Sequence, residues 1–214
     1  MRWPDGTYLV AADRSMEMIH SIWLPEPPPG GSVSCADWQR LPFGGGCFDS
    51  VHGDGCFNAL DYRAQYGSVA RELRRVLVPG GIFTLRAFLR PQVSEQPEQV
   101  FADLHAGRIA GFHAFKWRLA QSLHGSIEQG IPVARIWEAW HAAGVDVKAL
   151  AARTGWSEGT IATIDVYRGA PAVYTFPTLP ELRAAVEGIF TELDCQFGGY
   201  ELGERCPTLI YQAA

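Results

Sequence analysis

Residues 1–91 alternate short apolar runs with helical stretches, and each run closes on an acid or a glycine-rich turn. A chain patterned this way is constrained to a layered α/β sheet, because strands joined through helices run parallel and need cover on their faces. Thr7–Asp13 (TYLVAAD) reads as a buried parallel strand ending in an acid. Ser15 stands at the expected N-cap of the helical stretch SMEMIHSIW, and the prolines of Pro25–Gly31 exclude both helix and central strand. Ser32–Asp37 (SVSCAD) is a second strand ending in an acid, and Cys47–Gly55 (CFDSVHGDG) a third, closed by Gly-Asp-Gly. Tyr66–Leu77 gathers Val69, Leu73, Val76 and Leu77 on one helical face. Val78–Gly81 stops that helix, and Ile82–Phe88 is a fourth strand. Strand ends collected along one edge form the place where open α/β sheets bind ligands.

The next stretch changes character. Residues 92–176 show apolar positions at helical spacing from Val100 to Leu123, then over Val133–Ala143, Val147–Arg153 and Gly159–Tyr167. They read as a helical insertion packed over the sheet edge, inside one domain spanning 1–214. Its Phe112, Phe115, Trp117, Trp137 and Trp140 suit an apolar substrate pocket and equally a packed core. Leu179–Leu193 is expected as a further helix. The tail after it, GGYELGERCPTLIYQ, is expected to form two strands, an antiparallel finish to the sheet.

Composition narrows the function classes. A net charge of −5 and a pI near 5.7 leave no electrostatic footprint for nucleic acid or an anionic membrane. A small-molecule partner is the expectation. Cys35, Cys47, Cys56, Cys195 and Cys206 lack metal-ligand spacing, which suggests reduced thiols, no metal site and a cytoplasmic protein. Cys195 and Cys206 can be set across a hairpin, but a disulfide is not expected there. No apolar run approaches the roughly 20 residues that span a bilayer.

Three segments in order, VAADRSMEMI, ADWQRLPFGGGCFDSVHGDG and VARELRRVLVPGGIFTLRAF, resemble consecutive blocks of the class I S-adenosylmethionine-dependent methyltransferases. Order and spacing are similar to the small-molecule branch often called type 11. The resemblance implies a Rossmann-like, mostly parallel sheet with an antiparallel C-terminal strand, and S-adenosyl-L-methionine as cofactor. It also implies roles for single residues. Asp13 matches the acid that accepts both ribose hydroxyls, a task suited to a carboxylate's two acceptor oxygens. Arg14 and Met18 would line the same site. Asp37 matches the acid that receives the adenine amino group, with Trp38 against the adenine face. Asp54 and Gly55 match the strand end beneath the methionine portion, where glycine admits close approach.

Bland roles stand beside these. An acid after a strand also caps the next helix, Trp38 also suits a core, and Asp54 also suits a turn between glycines. The basic cluster Arg71, Arg74 and Arg75 reads as a solvated helix face. In-line methyl transfer from a sulfonium asks the protein mainly for orientation, so a catalytic motif is not required and none is evident. His52, His113 and His141 are candidate bases only because histidine titrates near neutrality.

The resembling family has a first strand and a glycine-rich turn before the strand that ends at Asp13, and here only Gly6 precedes Asp13. Met1 therefore reads as a misassigned start, an internal methionine of a longer protein, or a shortened form. In that family the first strand lies centrally, so its loss leaves two strands with unpaired edges. Three outcomes are expected to compete: the neighbours shift together, Thr7–Ala12 moves into the vacancy, or a partner chain supplies a strand. Two other functions are weighed: a non-catalytic homologue serving as a binding or structural subunit, and a helix-turn-helix regulator built on Ala149–Ile164. The regulator lacks the basic residues that DNA contact needs, since only Arg153 and Arg168 flank its second helix.

Overall fold

The computed structural model describes residues 4–23 and 30–213. Strand β1 (Val10–Asp13) is followed by one helical turn, α1 (Met16–Met18), which runs on as a π turn through Ile19–Trp23. Ser15 caps it as expected, accepting the Met18 amide at 3.2 Å. Most of the expected proline loop lies outside the described residues. Strands β2 (Ser32–Cys35) and β3 (Phe48–Asp54) follow, then α2 (Tyr66–Val76) and β4 (Leu77–Arg86). The stop at Val78–Gly81 is itself taken into β4, whose ladder with β3 is irregular there and regular from Ile82 onward.

The insertion holds α3 (Pro97–His105), α4 (Phe112–Leu123), α5 (Val133–Ala142), α6 (Val147–Thr154) and α7 (Glu158–Ala162). A small antiparallel ribbon, β5 (Ile131–Pro132) with β6 (Val173–Tyr174), ties its middle to its end, a feature the sequence reading did not contain. The Ala149–Ile164 segment is a short helical hairpin, with Gly155 at the turn.

The C-terminal expectation needs correction. Helix α8 (Leu179–Val186) opens with a Thr178/Glu181 capping box but stops seven residues before Leu193. Gly188, at φ +72°, turns the chain, and β7 (Phe190–Gln196) begins. The final two strands are thus β7 and β8 (Thr208–Ala213), not two strands within residues 198–212. Helical and strand spacing both fit this short apolar stretch, and the glycine turn decides between them.

The sheet is split. One four-stranded sheet has the order β3-β4-β8-β7, with β3 parallel to β4 and the other neighbours antiparallel. Strands β1 and β2 form a separate parallel pair in register Asp13↔Cys35. Among the described residues neither expected closure of the gap occurs: β1 pairs only with β2, and β3 only with β4. Ala36 and Leu41, just beyond β2, belong to the main core, so the small pair leans on the larger sheet through side chains.

That core lies on one face. Phe83, Leu85, Leu209 and Tyr211 point under α2 and α8 and are buried, whereas Ile82, Thr84, Arg86, Thr208 and Ile210 between them are half-buried. Val69, Leu73 and Val76 of α2 and Leu182 and Val186 of α8 complete the covered side, as the helical spacing predicts. Arg75 departs from the solvated reading. It bonds Glu72 and the carbonyls of Leu41 and Phe43, while Glu72 accepts the Leu41 amide at 2.7 Å. The QRLPF segment is thereby strapped to α2.

Candidate functional site at the strand ends

Parallel strands direct their carboxyl ends to one side, and all three acids singled out in the sequence stand at such ends. Asp13 is the last residue of β1, Asp37 lies two residues past Cys35 of β2, and Asp54 closes β3. Asp13 and Asp37 belong to one paired unit. Asp54 belongs to the other sheet, and among the described residues no ladder joins the two.

Each site residue also has a local partner. One oxygen of half-buried Asp13 accepts the Ser15 amide at 2.8 Å, which shapes the turn into α1 and leaves the second oxygen for another donor. Arg14 and Met18 are exposed on that turn. Asp37 is exposed and accepts the Gln39 amide at 2.9 Å.

Trp38 is half-buried, and its Nε1 donates to the Ala12 carbonyl at 3.0 Å. The amides of Ser32 and Ala36 bond the carbonyls of Leu9 and Asp13, so those carbonyls face β2. Alternation along the strand turns the Ala12 carbonyl to the other edge. Trp38 therefore caps one group of the β1 edge that faces away from β2.

Asp54 is gripped by Arg86 through two parallel bonds of 2.7 and 2.8 Å, a bidentate pair that neutralises both charges. Asp54 holds the Arg86 guanidinium above its ordinary range. Gly55 adopts φ +64°, and a Cβ placed there would meet the Phe88 ring at 2.7 Å. Glycine is thus required by the neighbouring ring, whatever else approaches.

Residues outside the sequence expectation complete the region. Phe88 stacks on Trp117 of α4 with centroids 4.2 Å apart, and Arg86 lies over the Phe88 ring at 5.5 Å. Buried Asn58 pins three segments together: its side chain bonds the Phe88 amide, the Phe88 carbonyl and the Thr175 carbonyl. The strand period hinted at Arg86, which shares a sheet face with Asp54, but nothing local in the sequence singled out Asn58.

The insertion aromatics divide between core and rim. Phe112, Phe115 and Trp140 are packed core, whereas Trp137 bonds Asp165 and stacks near His141 at 3.9 Å. Burial lowers His52 on β3, and burial with Lys116 nearby lowers His113. His52 lies on the same sheet face as Asp54, whereas His113 and His141 belong to α4 and α5. Burial pushes the Cys56 thiol up to about 12, so it is not a thiolate near neutral pH.

Two open hollows of about 440 and 400 Å³ lie elsewhere, one between α8 and β7 and one within the insertion. Among the described residues no cluster of three or more His, Cys, Asp or Glu side chains is placed to hold a metal ion. No described helix is long and apolar enough to cross a membrane.

Comparison with known proteins agrees with this geometry. Residues 2–85 match the family model described as a methyltransferase domain. No curated protein sequence matches the chain. Among solved structures, a Pyrococcus horikoshii protein aligns over 98% of this chain and 73% of its own, with TM-score 0.54 and 13% identity. A Methanosarcina mazei S-adenosylmethionine-dependent methyltransferase aligns over 97% and 82%, with TM-score 0.52 and 14% identity. A Burkholderia thailandensis 1,6-didemethyltoxoflavin-N1-methyltransferase, solved with 1,6-didemethyltoxoflavin and S-adenosylhomocysteine, aligns over 96% and 60%, with TM-score 0.51 and 13% identity. Likeness at these identities establishes the shared Rossmann-like α/β fold.

Proposed function

From a chain whose residues 2–85 match the methyltransferase domain family model, we propose S-adenosyl-L-methionine-dependent methyl transfer to a small-molecule acceptor. The observation that carries this reading is the placement of Asp13, Asp37 and Asp54 at the carboxyl ends of parallel strands. Asp13 would take the ribose hydroxyls on the oxygen that Ser15 leaves free, flanked by Arg14 and Met18. Asp37 would receive the adenine amino group, with Trp38 beside it. Asp54 and Gly55 would lie under the methionine portion. The insertion, residues 92–176 of a single domain, would cover the acceptor. The family's cofactor brings its own leaving group, a sulfonium, so the protein's work is orientation and exclusion of water. The reading places the protein in the cytoplasm, in keeping with five thiols that are free in the structure, and assigns it no nucleic-acid partner.

The open sheet adds a second part. With the edges of β1 and β3 unjoined, the ribose end and the methionine end of the site sit on separate ladders. We therefore expect this chain alone to hold the cofactor weakly, and a form with a strand and glycine-rich turn between them to hold it well.

Isothermal titration with S-adenosylmethionine and S-adenosylhomocysteine, supported by amide shift mapping, tests both parts. The expected result is affinity weaker than micromolar, reduced about tenfold further by Asp13→Asn or Asp37→Asn. Micromolar binding would defeat the weak-binding part. Binding unchanged in both variants, or shifts mapping away from β1 and β2, would defeat the site.

A further inference from the structure

The sheet edge opposite β3 carries a feature that the strand-end site does not use. The hollow of about 440 Å³ there is walled by the C-terminal half of α8, by Gly188 and by β7, with Tyr211 of β8 at its base. Its apolar lining comes from Pro180, Ala184, Val186 and Phe190.

Two hydrogen-bond donors at this place lack an acceptor among the described residues. The Tyr211 hydroxyl is buried and bonds nothing, although Tyr211 is only 1% exposed. A buried hydroxyl without a partner is uncommon in a folded protein and needs a reason. Arg183 uses Nε and one terminal nitrogen, Nη2, on Glu192 at 2.8 and 2.6 Å, which leaves Nη1 unused. Glu192 is the ladder partner of Tyr211, so the ion pair sits beside the phenol. Burial raises the phenol well above its ordinary value, which keeps it a donor. Both unused groups offer hydrogens; the guanidinium can only donate, and the phenol oxygen, although able to accept, receives no bond from it here.

We propose that this hollow binds a small carboxylic acid with a flat apolar body. Its carboxylate takes the Tyr211 hydroxyl and Arg183 Nη1, and its body lies on Phe190 and Val186. The Arg183–Glu192 pair forms the rim and must swing outward for the carboxylate to reach the phenol. Its side chains are 45% and 26% exposed, so both have room to move. Glu187 and Glu192 stand at the rim against the single cation Arg183, so one carboxylate is held by the two donors and a second negative charge is disfavoured, which restricts the ligand to a monoacid.

The full chain is titrated with benzoate, and with benzyl alcohol and benzylamine as neutral and cationic controls, following amide shifts. Benzoate is expected to bind in the millimolar range, with shifts at Val186, Phe190 and Tyr211, and to be favoured over both controls. Tyr211→Phe removes only the unbonded hydroxyl, so its unfolding midpoint is expected to match or exceed that of the parent, while benzoate affinity falls about fivefold to tenfold. Arg183→Met is expected to weaken benzoate similarly and to leave benzyl alcohol unchanged. The proposal is overturned if benzoate fails to shift these amides, if all three probes bind alike, or if Tyr211→Phe binds benzoate as the parent does. It is overturned equally if Tyr211→Phe lowers the unfolding midpoint, because the hydroxyl would then already have a partner.

Discussion

The helical insertion and the sheet it interrupts are built to different degrees of closure. In the insertion, Val100, Leu104, Phe115, Leu119, Ile136 and Phe176 from four segments meet with almost no exposure. In the sheet, burial alternates along β4 and β8, so one face is packed and the other is half open. Parallel strands of a doubly wound sheet are ordinarily covered on both sides. The insertion thus behaves as a finished core, while the sheet behaves as one awaiting a layer and a strand. An element that looks peripheral in the sequence can be the better packed half.

The sharpest way to break this comparison is to truncate one apolar side chain in each half. Phe115→Ala should cost about 3–5 kcal/mol in denaturant unfolding, the range for a fully buried ring. Ile82→Ala, on the open sheet face, should cost less than about 1 kcal/mol. Equal losses would mean that both faces of the sheet are covered in solution.

A second test concerns how the halves are joined. Arg118 of α4 bonds both Glu95 and Asp103, and Arg205, just before β8, bonds Glu95 and Gln121. Arg118→Met strands two mostly buried carboxylates with one cationic partner each and should cost about 2–3 kcal/mol. Bonds from Arg118 and Arg108 hold the Asp103 carboxyl down at about 2. A depressed carboxylate stabilises the fold above its unfolded value, near 4, and that contribution disappears as pH falls toward the folded value. Stability of the parent should therefore drop between about pH 4 and pH 2, and Arg118→Met should flatten that drop.

The third and smaller effect probes the insertion alone. Lys116 is buried, donates to Thr163 at 2.9 Å and faces the rings of Phe112 and Tyr167. Burial lowers its pKa, so the folded state is penalised for carrying the charge near neutral pH. The penalty shrinks as pH rises through the folded value toward the ordinary lysine range near 10.4. Lys116→Met should raise stability by about 1 kcal/mol at neutral pH and abolish this alkaline gain. A destabilised variant would show that the rings and Thr163 compensate the charge fully.

The strand ends were the legible part of the sequence. Acids after apolar runs placed Asp13, Asp37 and Asp54 correctly at β1, β2 and β3, because strand length and the following turn are local properties. The start of α2 was equally plain, since Val69, Leu73 and Val76 fix its buried face, although Leu77, expected on the same helix, begins β4 instead. The end of α8 was not, because FTELDCQ becomes a strand only by pairing with a segment twelve residues further on. The split sheet was foreseen as a problem but not as an outcome, because edge pairing is settled by distant segments. Asn58 stayed invisible for the same reason: its partners, Phe88 and Thr175, lie 30 and 117 residues away.

Residue-resolved hydrogen exchange along β3 puts the account's main premise to the most direct test. The ladder to β4, fixed by the Gly55 amide on the Arg86 carbonyl, turns the amides of Val51 and Gly53 inward and those of Ser50 and Asp54 toward the unjoined edge. Val51 and Gly53 should be protected, and Ser50 and Asp54 should exchange nearly as fast as an open chain. Equal protection at all four amides would mean that a strand already occupies that edge, and the sheet would not be split.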